Sequence, residues 1–261
     1  MKIKEVLSAL ERFAPLPLQE SWDNAGLQIG LTEAEVSGAL LCLDVTEKVI
    51  DEAVEKGCNV VVSHHPLLFR GLKQISDTTD VQRTVWKAIQ KGICVISMHT
   101  NLDNAPGGVN FRIASRLGLT GVRFGGVAEG AEAQSGSWVM GILPEPMAAD
   151  DFVLHVKRQM QAESAMCNEL LRRPISRVAI CGGAGDFLLD EAVRAGADAF
   201  ITGEMHYHAY FGHEQQLQIC VIGHYESEHF TAGLLRDIIA EACPDVRTVI
   251  AETNTNPIIY L

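Results

Sequence analysis

Three short apolar runs each end in residues of the kinds that bind metal ions. VVVSHHP ends on His64 and His65, CVISMHTNLD on His99 and Asp103, and CVIGHYESE on His224 and Glu228. Imidazole nitrogen together with carboxylate oxygen suits zinc, iron, manganese or cobalt, and does not suit calcium. The donors are enough for two divalent ions that share a carboxylate and keep positions open for water. Two such ions about 3.5 Å apart are an established hydrolytic arrangement.

The spacing supports this chemistry. Adjacent strand residues point to opposite faces, so His64 and His65 converge only if the chain turns beyond the strand end. Pro66 helps to fix such a turn. His224 and Glu228 stand four apart, one turn along a helix face. Glu226 then faces elsewhere, toward solvent or the positive end of the helix, and His229 lies on another face as a surface or packed residue. Between His99 and Asp103 the spacing does not choose: either can be a ligand.

Two further segments carry polar groups at strand ends. GGAGD, residues 182–186, follows the run VAIC, and Gly182, Gly183 and Gly185 could present backbone amides to a phosphate. It lacks the Lys-Ser/Thr of a P-loop, and a tight turn explains it equally well. TGEMHYHAY follows ADAFI and holds Glu204, His206 and His208. These are candidates for orienting ligands, contacting substrate or transferring protons. His155 and His213 read as surface or structural.

The elements that must position these residues are legible as alternating periods. Ile3, Val6, Leu7, Leu10 and Phe13 recur at helical spacing until Pro15 and Pro17. TEKVIDEAVEKG predicts a helix capped by Thr46 and stopped at Gly57. Helices are also predicted over Asp80–Lys91, about Val109–Leu117 and Asp150–Met160, with a long one beginning near Glu226. Short β-branched runs precede each ligand group. Strand and helix therefore alternate, as in βα units around a mainly parallel sheet, and such sheets bind ligands at the carboxyl ends of their strands. The expected fold is α/β, with mainly parallel or mixed sheets. Regions 1–126 and 174–261 carry the ligands. Residues 121–136 read as a connection, and 127–173 as a short intervening unit or part of the second domain.

Composition sets limits. The chain has 261 residues and a net charge of −12, which argues against a broad nucleic-acid footprint. A small-molecule or nucleotide substrate remains open, since a metal reverses the local field. None of the seven cysteines forms a CxxC pair, and Cys42, Cys94, Cys181 and Cys220 sit in apolar runs. They read as buried free thiols in a reducing compartment, with cytoplasm the expected location. No stretch is long and apolar enough to be a membrane span.

SWDNAGLQIG, VVSHHPLLF, HTNLD, CGGAGD, TGE followed by histidines, and GHYESE, in this order, resemble the Nif-three-like family, many of whose members are called GTP cyclohydrolase type-2 homologues. The motifs run from about residue 21 to 229. The resemblance implies two divalent metal ions per chain, held by His64, His65, Asp103, His224 and Glu228, with Glu228 as the bridge and His99 as a near-site residue. It also implies two α/β units with the metal site in the cleft between them, and a ring-like homohexamer. The implied activity is hydrolytic opening of a guanine ring, with His99 or His206 relaying protons. The alternatives are a non-catalytic metal-binding or interaction protein, or a redox or metal-insertion role. TNLD stands where some relatives have THLD, so Asn101 alters the rim of the site.

Overall fold

The computed structural model describes residues 1–126 and 133–261; residues 127–132, inside the stretch read as a connection, lie outside the described residues. In chain order the elements are α1 (Ile3–Phe13), β1 (Gly26–Ile29), β2 (Ala39–Cys42), α2 (Glu47–Glu55), β3 (Val60–Ser63), α3 (Asp80–Gln90), β4 (Cys94–Ser97), α4 (Thr100–Asp103), α5 (Val109–Arg116) and β5 (Thr120–Phe124). They continue with β6 (Val139–Met147), α6 (Ala149–Met160), β7 (Met166–Cys167), β8 (Ile175–Ala184), α7 (Leu189–Arg194), β9 (Ala199–Glu204), β10 (Gln218–Val221), α8 (His224–Glu228), α9 (Thr231–Ala242) and β11 (Thr248–Ile250).

The chain divides into two compact units. The first comprises Met1–Leu102 and His229–Pro257. Its sheet has the order β1-β4-β3-β2-β11, with β4, β3, β2 and β11 parallel and β1 antiparallel at the edge. Every residue of β2, β3 and β4 is buried. That is why these strands read as continuous apolar runs without alternation: helices cover both faces. Leu40, Val61 and Val95 face a core completed by Val49, Ile50 and Ala53 of α2 and Val85 and Ala88 of α3. Thr46 caps α2, its side chain accepting from the Val49 amide, as the sequence predicts.

The second unit comprises Asp103–Glu228 and Ile258–Leu261. Its sheet has the order β5-β6-β8-β9-β10-β7. The centre, β8-β9-β10, is parallel, and β5, β6 and β7 run antiparallel to their neighbours. Phe200, Ile219 and Val221 pack with Leu188, Leu189 and Ala192 around α7. Both units are thus α/β with mainly parallel or mixed sheets.

Two expectations change. The predicted long helix is broken into α8 and α9, with His229 and Phe230 at the break. Within α8 the Ser227 hydroxyl donates to the His224 carbonyl at 2.8 Å. The expected glycine loop is in fact the end of a strand: β8 continues through Gly182 and Gly183 to Ala184, with a register shift between Cys181 and Ala184. A bulge keeps the chain in the sheet while re-aiming its groups.

Candidate metal-ligand sites

In the first unit, the ends of β3 and β4 bring three imidazoles together. Ring centroids are 5.0 Å apart for His64 and His65, 5.3 Å for His64 and His99, and 5.5 Å for His65 and His99. One ligand nitrogen from each ring lies within 4.8 Å of the others, close enough to share a metal ion. His64 is fully buried, while His65 and His99 are partly exposed.

The tautomers follow from the partners. His64 Nδ1 donates to the Met98 carbonyl at 2.8 Å. His65 Nδ1 meets Asp44 Oδ1, and His99 Nδ1 meets Asp23 Oδ1, each at 2.7 Å. With Nδ1 held by an oxygen acceptor, Nε2 carries the lone pair in each neutral ring. This is the usual support of a metal-binding histidine: the acceptor fixes ring orientation and raises basicity. Asp23 is itself held tightly. Burial opposes its ionisation, but hydrogen bonds from His99 and Thr100 prevail and bring its pKa down to about 2.

The second unit presents a similar arrangement. His224 Nδ1 lies 2.9 Å from Glu204 Oε1, and His224 Nε2 lies 3.0 Å from Glu228 Oε2. One helical turn separates His224 from Glu228, as predicted. Glu228 is only 3 % exposed. Glycine makes room for it, since a Cβ at Gly183 would collide with Glu228 Oε1. A Cβ at Gly203 would come within 2.6 Å of Ser227 Oγ, so α8 lies against the ends of β8 and β9 on glycine backbone.

The other singled-out residues are placed as follows. Asp103 ends α4, half-buried, and lies outside the three-histidine group. Its backbone carbonyl accepts from Asn110 Nδ2 at 3.4 Å. Glu204, expected among proton-transfer groups, contacts His224 and orients it. His206 is exposed and paired with Asp186. That hydrogen bond raises the His206 pKa. Burial opposes ionisation of Asp186, but the hydrogen bonds from the His206 side chain and backbone, the charge of His206 and the Phe187 amide together lower its pKa. Glu226 is buried, not solvent-facing, and its Oε2 accepts from the Tyr260 hydroxyl at 3.4 Å. Asn101 faces inward, its Nδ2 donating to the Ala14 carbonyl at 2.8 Å, so it is a core residue and not part of a rim.

The glycine amides are committed elsewhere. Gly182 N donates to Asn110 Oδ1, Gly183 N to Ser227 Oγ and Gly185 N to Thr202 Oγ1, at 2.9, 3.0 and 3.0 Å. A phosphate would have to displace all three side chains, so the phosphate reading of Gly182, Gly183 and Gly185 does not follow from their geometry.

Two features escaped the sequence reading. Asp44 holds His65 and Asp23 holds His99, yet neither was singled out, although Asp44 follows β2 in the same strand-then-polar pattern and Asp23 lies within SWDNAGLQIG. The other is aromatic. Trp22 and Phe69, 57 % and 44 % exposed, have ring centroids 5.8 Å apart and lie 6.1 and 6.2 Å from the His99 ring. They form an apolar wall beside the histidine group. In the second unit a cavity of about 480 Å³ is lined by His224, Glu204, Asp186, His206, Tyr260 and neighbouring apolar side chains.

The donor set fits divalent metal ions by its chemistry. In the first unit, the Nε2 atoms of three imidazoles converge. In the second, an oriented imidazole stands against a buried carboxylate. No helix among the described residues is long and apolar enough to cross a membrane.

A "GTP cyclohydrolase 1 type 2 homolog" of Clostridium perfringens is 34 % identical over 264 residues, covering 100 % of both chains. The protein of the same description from Clostridium acetobutylicum is 33 % identical, covering 87 % of this chain and 85 % of its own. The crystal structure of a Staphylococcus aureus hypothetical protein superposes with a TM-score of 0.91 at 29 % identity, covering 100 % of this chain and 99 % of the other. The family model for Duf34/NIF3 (NGG1p interacting factor 3) matches residues 1–257. The chain belongs to the Duf34/NIF3 family.

Proposed function

We propose that the protein is a dinuclear metal-dependent hydrolase of a small nucleotide-like substrate. His64, His65, Asp103, His224 and Glu228 hold two divalent ions per chain, drawn from zinc, iron, manganese and cobalt, with Glu228 as the shared ligand. The observation that carries this reading is the repeated support of Nδ1. His64, His65 and His224, together with the neighbouring His99, each have that nitrogen on an oxygen acceptor, the support expected of a metal-binding histidine.

When bound, the metal pair supplies Lewis acidity and a water activated near neutral pH. The chain's own groups do the rest. Asp44 and Glu204 hold the His65 and His224 rings in register. Trp22 and Phe69 offer flat apolar surface on which a heteroaromatic ring can stack. His99, held by Asp23, and His206, held by Asp186, are the candidates for moving protons at their Nε2 atoms. The name shared by the relatives supports a nucleotide-like substrate, and the net charge of −12 supports a small molecule over a nucleic acid. The resemblance also supports a ring-like homohexamer, which light scattering tests by its sixfold mass. The buried thiols support a cytoplasmic location.

The deciding experiment is turnover of GTP and a panel of nucleotides and phosphorylated metabolites by fully metal-loaded protein. His65→Ala and Glu228→Ala should abolish it with the circular dichroism spectrum unchanged. A loaded wild type inert to the whole panel would overturn the hydrolase reading in favour of a non-catalytic metal-binding protein.

A further inference from the structure

Strands β7 and β10 pair antiparallel, with Cys167 directly opposite Cys220. Opposed residues on neighbouring antiparallel strands share a face, with Cα atoms about 4.5–5.5 Å apart. A disulfide spans about 4.4–6.8 Å between Cα atoms, so the strand register already meets the bond's requirement. The segment is also fixed. Asn168 Nδ2 donates to the Leu217 carbonyl at 2.8 Å, and Asn168 Oδ1 accepts from the Ile219 amide at 2.9 Å. The residue beside Cys167 is therefore clamped to the strand of Cys220, which holds the two cysteines opposite each other.

We propose that Cys167 and Cys220 form a reversible intramolecular disulfide by exchange with a low-molecular-weight disulfide such as oxidised glutathione. Cys167 is the attacking thiol. Among the described residues it is the one cysteine that is not buried; Cys42, Cys58, Cys94, Cys181, Cys220 and Cys243 all are. The hydrogen bond from Cys220 lowers the Cys167 pKa against the opposing effect of burial, and the charge of Lys157 adds to the lowering. The thiolate is the nucleophile in exchange, so these contacts favour attack at Cys167.

The step balances. The Cys167 thiolate attacks one sulfur of the reagent, whose S–S bond breaks, and one glutathione leaves as a thiolate that takes up a proton. Cys220 then attacks Cys167 Sγ, releasing the second glutathione, which takes up the Cys220 proton. Two cysteine thiols are oxidised, and one glutathione disulfide is reduced to two thiols. Cys220 needs no access to solvent, because its target is the neighbouring sulfur. In the reduced pair its pKa is raised by the hydrogen bond to Cys167 and by burial; once Cys167 carries glutathione only the burial remains, and attack by the Cys220 thiolate quickens as pH rises.

The bond would fasten an edge strand of two residues to the strand that leads into His224. Met166 and Val221, the adjacent cross-strand pair, both line the cavity that His224 also lines. The proposal is independent of whether the protein is a hydrolase.

The test is incubation of the folded, full-length chain with oxidised glutathione at about pH 8, followed by alkylation and non-reducing peptide mapping. The expected product is a single Cys167–Cys220 cross-link, lighter by two hydrogens, reversed by dithiothreitol and raising the thermal midpoint by about 5–10 °C. Cys220→Ala should trap glutathione on Cys167, and Cys167→Ser should give neither adduct nor cross-link. Three wild-type results would overturn the proposal: a lasting glutathione adduct on Cys167 without a cross-link, a cross-link to another cysteine, or no reaction in the folded protein. The wild-type result stands even if a variant fails to fold.

Discussion

Asp44 Oδ1 lies 2.7 Å from His65 Nδ1, and Asp44 Oδ2 accepts from Thr255 Oγ1 at the same distance. The carboxylate is thus oriented by a residue far along the chain and in turn orients a ring at the tip of β3. Asp44→Ala removes the acceptor and leaves the ligand residue itself in place. Metal affinity should fall about 10–100-fold. Competition against a calibrated chelator measures it, with circular dichroism confirming the fold.

Glu204 stands to His224 as Asp44 does to His65. It is more exposed, so its removal disturbs packing less. Glu204→Ala should weaken metal binding by about tenfold and lower the thermal midpoint only slightly. Unchanged affinity would mean that the Glu204–His224 contact is incidental.

Asp23 predicts a stability loss in acid. Its folded pKa, about 2, lies below the ordinary carboxylate value of 3.8. The folded state therefore binds the proton less readily than the unfolded chain does. The resulting stabilisation is present above about pH 4 and is lost as pH falls toward 2. Its size is on the order of 1–2 kcal/mol after solvent screening. Denaturant midpoints of the wild type and Asp23→Asn should differ at pH 6 and converge near pH 2.

Gly183 has φ +63° and borders Glu228. Gly183→Ala sets a Cβ into the carboxylate and forces an L-residue into left-handed backbone. We expect a loss of about 2 kcal/mol, or else a displaced Glu228. Thermal melting distinguishes the first outcome, and metal titration at a temperature where the variant is folded distinguishes the second.

Trp22→Ala tests the apolar wall. The side chain is 57 % exposed, so stability should change by less than about 0.5 kcal/mol. If a ring stacks there, the KM for a heteroaromatic substrate should rise about tenfold, within the usual worth of one base–aromatic stack. An unchanged KM would remove Trp22 from the substrate site.

Much of this was legible in the sequence because the relevant signals are local. A β-branched run followed by histidine, the Thr46 cap and the four-residue step from His224 to Glu228 all depend on near neighbours in the chain. What escaped depends on partners far away. Asp23 meets His99 across 76 positions, and Asp44 meets Thr255 across 211. The Gly182, Gly183 and Gly185 amides looked available because the side chains that occupy them, Asn110, Ser227 and Thr202, come from other segments. The helix break after Glu228 was hidden because the apolar period continues across it into α9. Glu226 looked solvated because Tyr260, which donates to it, is 34 positions on.

The order of the units along the chain bears on how the protein is made. The first unit's sheet includes β11, which pairs with β2, and its helix α9 packs on α1 and β2. Both are synthesised after all but four residues of the second unit. During translation the second unit can complete its sheet while α1 still lacks α9 and β2 still has an open edge. The apolar face of α1, with Ile3, Val6 and Leu10, is therefore covered only in part, by β1, until residues 231–250 emerge. This nascent intermediate, more than the finished fold, is the stage at which the chain is most exposed to aggregation and most in need of a chaperone.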